Sequence, residues 1–204
     1  MDLKQHIIKE ADRLFCTFGI KSVTMDDISR HLGISKKTIY QHFKDKNELV
    51  VLLMSDKMEN QVCVMDATSQ KAKNAIDEVF EAVTHTEVML SNMNPTLFYD
   101  LQKYHREAWQ VFKAFRENIF YKKIRQNLLR GIQEGYYRKE LDVDIITRMR
   151  IEQIDLIFNQ TTFPVKEYSI SRVLTELTAH FLYGICTLKG HKLINNYKHI
   201  TDED

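Results

Sequence analysis

In ISRHLGISKKTIYQHFKDKNEL, residues 28–49, apolar side chains fall at Ile28, Leu32, Ile34, Ile39, Phe43 and Leu49 around one glycine, Gly33. The spacing of four from Ile28 to Leu32 and again from Ile39 to Phe43 is that of a buried helix face, and a lone glycine between two such faces marks a tight turn rather than a continuing helix. Two short helices must therefore fold back on each other here. The segment before it obeys the same rule. Ile7, Ile8, Ala11, Leu14, Phe15 and Phe18 form one stripe of a helix from Leu3 to Phe18, and Gly19 ends it. Thr24 with Asp27 reads as a capping box for the second helix, and Ser35 as the cap of the third. Lys44–Asn47 is a polar break before a fourth helix starting near Glu48.

Beyond Met65 the patterns lengthen. Helices are expected from Ala72 to Met93, from a start beside Pro95, from about His105 to Gln133, from Asp142 or Asp144 to before Pro164, and from about Ser169 to Leu188. No strand alternation or repeat appears, and only two prolines and six glycines interrupt 204 residues. The fold class is therefore all-α. The expected division is a three-helix domain at residues 1–47 and a larger helical domain at 48–204, joined by a helix from about 47 to 63.

The formal net charge is +1, so no global field holds a polyanion and any nucleic-acid site must be a local patch. Lysines at 36, 37, 44 and 46 provide one. With the apolar stripe turned inward, Lys36, Lys37, Tyr40, Gln41 and Lys44 point outward from a helix-turn-helix whose second helix can enter a DNA major groove. Lysines neutralise phosphates, Thr38 and Tyr40 can donate to phosphate oxygens, and the Gln41 amide matches the adenine edge. Lys46 and Thr24 are expected at the flanking backbone. A charge run is otherwise a solvated helix face; the glycine turn and caps in register favour DNA.

Cys16, Cys63 and Cys186 form no paired motif, and His85, His105 and His180 find no partner at ligand spacing. His6 and Glu10 read as an ordinary first-helix pair. No nucleophile elbow, P-loop or zincin motif occurs, so neither an enzyme, a metal nor a cofactor is expected. Met1–Asp12 is charged throughout and the longest apolar run, Leu49–Met54, is too short to span a bilayer. A soluble, cytoplasmic protein without membrane attachment is the expectation.

The run from Ile28 to Leu49, with Phe18-Gly19 and Thr24 before it, resembles the signature of the TetR family of transcriptional regulators. Gly33, Thr38, Tyr40, Phe43, Lys46 and Leu49 all match it. Ser29 stands where the family commonly has alanine, adding a hydroxyl that needs a partner. Lys37 stands where a small residue is frequent. The resemblance implies a homodimer on double-stranded, palindromic operator DNA, and a repressor released when a small, mostly apolar effector enters the larger domain. A pocket touching Met89, Phe98, Tyr104, Trp109, Phe112, Met149 and Phe158 is implied, although such residues are equally plain core. The last two long helices, through Ile154, Ile157, Val173, Leu177, Phe181 and Ile185, would pair with a second subunit, or else pack internally. The alternative is a DNA-bound structural or cell-division adaptor of the same fold with no effector.

Overall fold

A computed structural model describes residues 2–91, 93–94, 96–164 and 166–198. Its helices are α1 (Leu3–Phe18), α2 (Met25–Leu32), α3 (Lys36–His42), α4 (Lys46–Lys71), α5 (Ala75–Ser91), α6 (Leu97–Tyr104), α7 (Arg106–Phe115), α8 (Tyr121–Gln133), α9 (Val143–Leu156), α10 (Ile170–Ile185) and α11 (Leu188–Lys198). A single π turn, Arg116–Phe120, joins α7 to α8. No strand occurs among the described residues; Tyr137 and Cys186 make one isolated antiparallel bridge.

The caps explain most boundaries. Thr24 and Asp27 form the full capping box, with the Asp27 amide donating to Thr24 Oγ1 at 3.1 Å and the Thr24 amide to Asp27 Oδ2 at 2.9 Å. Gly33 takes φ +65°, the left-handed region closed to most side chains, and so lets α2 turn into α3. Ser35 Oγ accepts the Thr38 amide at 3.0 Å. Asp142 and Ser169 cap α9 and α10 in the same way.

Elsewhere the boundaries differ from the periodicity. The fourth helix starts at Lys46 and runs on to Lys71, because Asp45 Oδ1 accepts the Glu48 amide at its first turn and no breaker follows. Asn74 Oδ1 accepts the amides of Ile76 and Asp77, which delays α5 to Ala75. The single helix expected over 105–133 is two helices and the π turn, and a separate α6 precedes them. His105, at φ −130° and ψ 66°, divides α6 from α7. Pro95, the expected first-turn residue, lies outside the described residues. Cys186 is extended, which ends α10, and Thr187 Oγ1 accepts the Gly190 amide to begin α11.

By packing, the chain forms two compact units: the residues up to Val62 together with Met89–Phe115, and Cys63–Val88 together with the chain from Arg116 on. Segment 89–115 therefore packs with the N-terminal helices, which a division near residue 47 does not convey. In the first unit Ile7, Ala11, Phe15, Ile28, Ile39, Phe43, Leu49 and Leu101 are almost wholly buried together. In the second the core is Ile76, Leu128, Tyr137, Phe181, Leu182, Ile185 and Ile194. Among the described residues no helix is long and apolar enough to cross a membrane.

Candidate nucleic-acid interface and the interior of the second unit

The α2–α3 turn is built outward from its core. Ile28 and Ile39 are fully buried and Phe43 is 1% exposed, so α3 is held by one face and cannot roll. The Ile34 amide donates to Ser29 O at 3.1 Å and closes the turn behind Gly33. Ser29, buried, gives its hydroxyl to Asp26 O at 2.9 Å, which supplies the partner that its departure from alanine demands. His31 Nε2 lies 3.2 Å from Glu10 Oε2 and ties α2 to α1, and that contact leads the causes that hold the Glu10 carboxyl below its usual range.

What remains faces solvent. Lys36, Lys37, Tyr40, Gln41 and Lys44 are exposed on α3 and its exit. Lys36 Nζ sits 2.7 Å from Asp26 Oδ1, an ion pair that raises its pKa, and 6.0 Å from the centre of the Tyr40 ring. Asp26 is a partner that the sequence pattern did not single out, since it lies one helix away. Thr38 is half-buried, with its hydroxyl 2.8 Å from Ser35 Oγ. The Thr24 hydroxyl donates to Asp27 Oδ2 at 2.6 Å, so the cap already uses it.

Lys46 departs from the expectation. Its ammonium is turned inward and donates to Ile20 O at 2.5 Å, 5.7 Å from the Phe15 ring centre, and burial lowers its pKa. It pins the α1–α2 connection to the start of α4. A second clasp lies nearby: the Lys21 amide donates to Asp100 Oδ2 at 2.9 Å, and His105 Nδ1 stands 2.6 Å from Asn47 Oδ1.

The expected pocket residues fall into both units. In the first, Trp109 stacks on Phe112 at 5.1 Å and Phe98 meets Phe112 edge-on at 5.3 Å. Met89 and Tyr104 of that unit, and Met149 of the second, are 44%, 40% and 42% exposed, where the expectation had them lining a pocket. Phe158 belongs to the second unit and is half-buried. A cleft of about 330 Å³ opens in the second unit between Val64, Thr68, Asp77, Glu81 and His85, and one of about 220 Å³ in the first beside Gln5, Asp12, Leu53 and Lys57. None of the seven expected residues lines either.

The residues expected at the subunit contact divide by burial within the single chain. Ile157, Val173, Phe181 and Ile185 are 2–5% exposed within the single chain, and Phe181 and Ile185 of α10 belong to the second unit's core. Ile154 and Leu177 are half-buried, and Ile145 and Met149 of α9 are 63% and 42% exposed.

Residues 7–53 match the model of the family described as bacterial regulatory proteins, tetR family. Over nearly its whole length the chain is similar to two curated relatives. It is 24% identical to the helix-turn-helix-type transcriptional regulator YvaF of Bacillus subtilis over 90% of this chain and 95% of that one. To the helix-turn-helix-type transcriptional repressor KstR2 of Mycolicibacterium smegmatis it is 25% identical over 93% of each. In fold it is similar to the transcriptional regulator FadR of Bacillus subtilis, solved in complex with stearoyl-CoA, at a TM-score of 0.69 and 20% identity over 89% of this chain and 98% of that one.

Proposed function

We infer that this chain, whose residues 7–53 match the model of the tetR family of bacterial regulatory proteins, represses transcription by seating α3 in the major groove of a palindromic operator. Residues 1–47 are the DNA-reading domain in this proposal, and 48–204 the larger helical domain that pairs subunits and takes an effector. One observation carries the reading: a helix held rigidly by Ile39 and Phe43 presents Lys37, Gln41 and Lys44 to solvent with no side-chain partner among the described residues. Lys36 and Tyr40 add to the same face, Lys36 after exchanging Asp26 for a phosphate. One such helix buries too little for tight specific binding, whereas a twofold pair places two of them about 34 Å apart, one turn of DNA. Repression and an effector are supported by a relative named as a repressor and by a structural neighbour that holds stearoyl-CoA. Release would follow if an effector favours a spacing of the two reading helices that no longer fits successive grooves.

The test is a titration of duplexes from the region upstream of the chain's own coding sequence, followed by fluorescence anisotropy. Saturable binding of two chains per duplex, steeply weakened by salt, is the expected result. Binding no tighter than to a random duplex, for every fragment tried, overturns the proposal.

A further inference from the structure

Three arginines of the second unit carry partly or wholly buried guanidinium groups, and two of them are neutralised. Arg116 Nη2 lies 2.5 Å from Glu152 and 2.7 Å from Asp155; Arg130 pairs with Glu134 at 2.8 Å and Glu78 at 3.3 Å. Arg150 is the most buried of the three, at 6% exposure, and no carboxylate among the described residues is paired with it. Its Nη2 donates to Thr178 Oγ1 at 2.8 Å and its Cζ lies 4.7 Å from the Phe181 ring centre, but Nη1 has no acceptor among the described residues. A hydroxyl and an aromatic face do not cancel a buried charge, and burial pulls the guanidinium down to about 10. Neighbouring acids do not step in. The Tyr137 hydroxyl donates to Ala75 O and Asn127 Oδ1 and is kept neutral by burial, and the Cys186 thiol is pushed up to about 12.

A second orphan lies one turn along the same helix. Gln153 Oε1 is buried without a donor, and at three residues' separation it shares the Arg150 face of α9. Gln153 as a whole is half-buried, while its Oε1, like Arg150 Nη1, is enclosed.

We propose that Arg150 and Gln153 form the polar end of an effector site that takes a small organic acid. The carboxylate would settle on Nη1 and neutralise the guanidinium, and Gln153 Oε1 would accept a hydroxyl or amide hydrogen carried next to that carboxylate. The apolar body of the acid would lie against the side of α9 and α10 that Phe181 marks. This deepens the reading of the larger domain as effector-binding and rests on it. It also gives Arg150 a reason to be arginine: Arg116 too has a buried Nε without an acceptor, but Glu152 and Asp155 already neutralise its charge, whereas the uncompensated charge of Arg150 makes entry of an anion favourable.

The test is calorimetry on the full chain with straight-chain carboxylates from butyrate to palmitate, each against the alcohol and amine of the same length. The acids are expected to bind about tenfold or more tighter than the matched alcohols, and the amines not at all. Arg150→Met, shown by circular dichroism to be folded, should lose the preference for acid over alcohol. Gln153→Leu should lose the advantage of 3-hydroxydecanoate over decanoate. Alcohols that bind as tightly as acids, acids that do not bind, or an R150M that keeps the preference would each overturn the proposal. So would an R150M that is monomeric where the unchanged chain is dimeric, since the guanidinium would then serve a subunit contact. Duplex binding measured on the same samples separates the two readings. A chain that holds its operator but ignores every acid overturns this inference alone, and one that binds acids but no duplex overturns the proposed regulator.

Discussion

The α2–α3 turn and the inner side of α9 leave polar groups over in opposite places. In the turn, the caps, the Ser29 hydroxyl and the Gly33 bend satisfy the groups that folding buries, and the surplus is cationic and outside. Along α9 the surplus is inside, at Arg150 Nη1 and Gln153 Oε1. Exposed surplus charge is almost free, so it tolerates a large partner that comes and goes. Buried surplus charge is costly, so it calls for a partner small enough to enter.

The comparison depends most on the apolar skeleton that points the lysines outward. Phe43→Ala removes a ring that is 1% exposed and should cost about 3 to 5 kcal/mol, a large part of what a unit of this size possesses. Thermal melts should show the first unit unfolding early, with duplex binding lost. If F43A binds duplex as the unchanged chain does, presentation by a rigid α3 is not what matters.

The next largest effect lies at the reading side chains. Gln41→Ala should cost about 1 to 3 kcal/mol on the operator and little on random DNA. Lys37→Ala and Lys44→Ala should weaken both, each reducing the salt slope by about one counterion. Equal losses on operator and random DNA for Q41A would make Gln41 a backbone contact.

Lys46 sharpens the contrast, because a lysine of the same motif belongs to the inside. Lys46→Met should lower stability by about 1 kcal/mol, through the lost bond to Ile20 O, with the salt slope unchanged. A slope reduced as much as in K37A would show that its ammonium leaves Ile20 for a phosphate.

The parts of the fold that sequence predicts well are those in which cause and effect lie within a turn of each other. Thr24 and Asp27, Gly33 and Ser35 act on their own neighbours, so α1 to α3 are readable to within a residue or two. α6 and α11 are short, and what bounds them is the His105 conformation and the extended Cys186 that pairs with Tyr137 across the unit. Side-chain fate is less legible still. Lys36 and Lys46 look alike in sequence, yet one meets Asp26 on another helix and the other a carbonyl 26 residues away. Arginine in a helix reads as surface, and only the packing of Thr178 and Phe181 against it makes Arg150 interior. The stripe on α10 is readable, but whether its own unit or a second copy covers it is decided by the rest of the fold.

The smallest effect is a pH dependence. His105 is 8% exposed, and burial, helped by the nearby Lys46 ammonium, holds its pKa below the ordinary value while Asp100 pulls the other way. Its lowered pKa means that the folded chain binds the proton less readily than the unfolded one. The stability it contributes is therefore complete above the unfolded value of about 6.5, and is lost as pH falls from there toward the folded value. Urea unfolding midpoints of the first unit should drop between about pH 7.5 and about pH 5.5. The chain has eight histidines, so the informative quantity is the difference from His105→Gln, in which the drop should be smaller. Because His105 Nδ1 faces Asn47 beside Lys46, protonation would also set a second positive charge against the clasp at the start of α4. An H105Q chain with the same pH dependence as the unchanged one would mean that this ring accepts its proton as easily folded as unfolded, and that the clasp is no more enclosed than the reading surface.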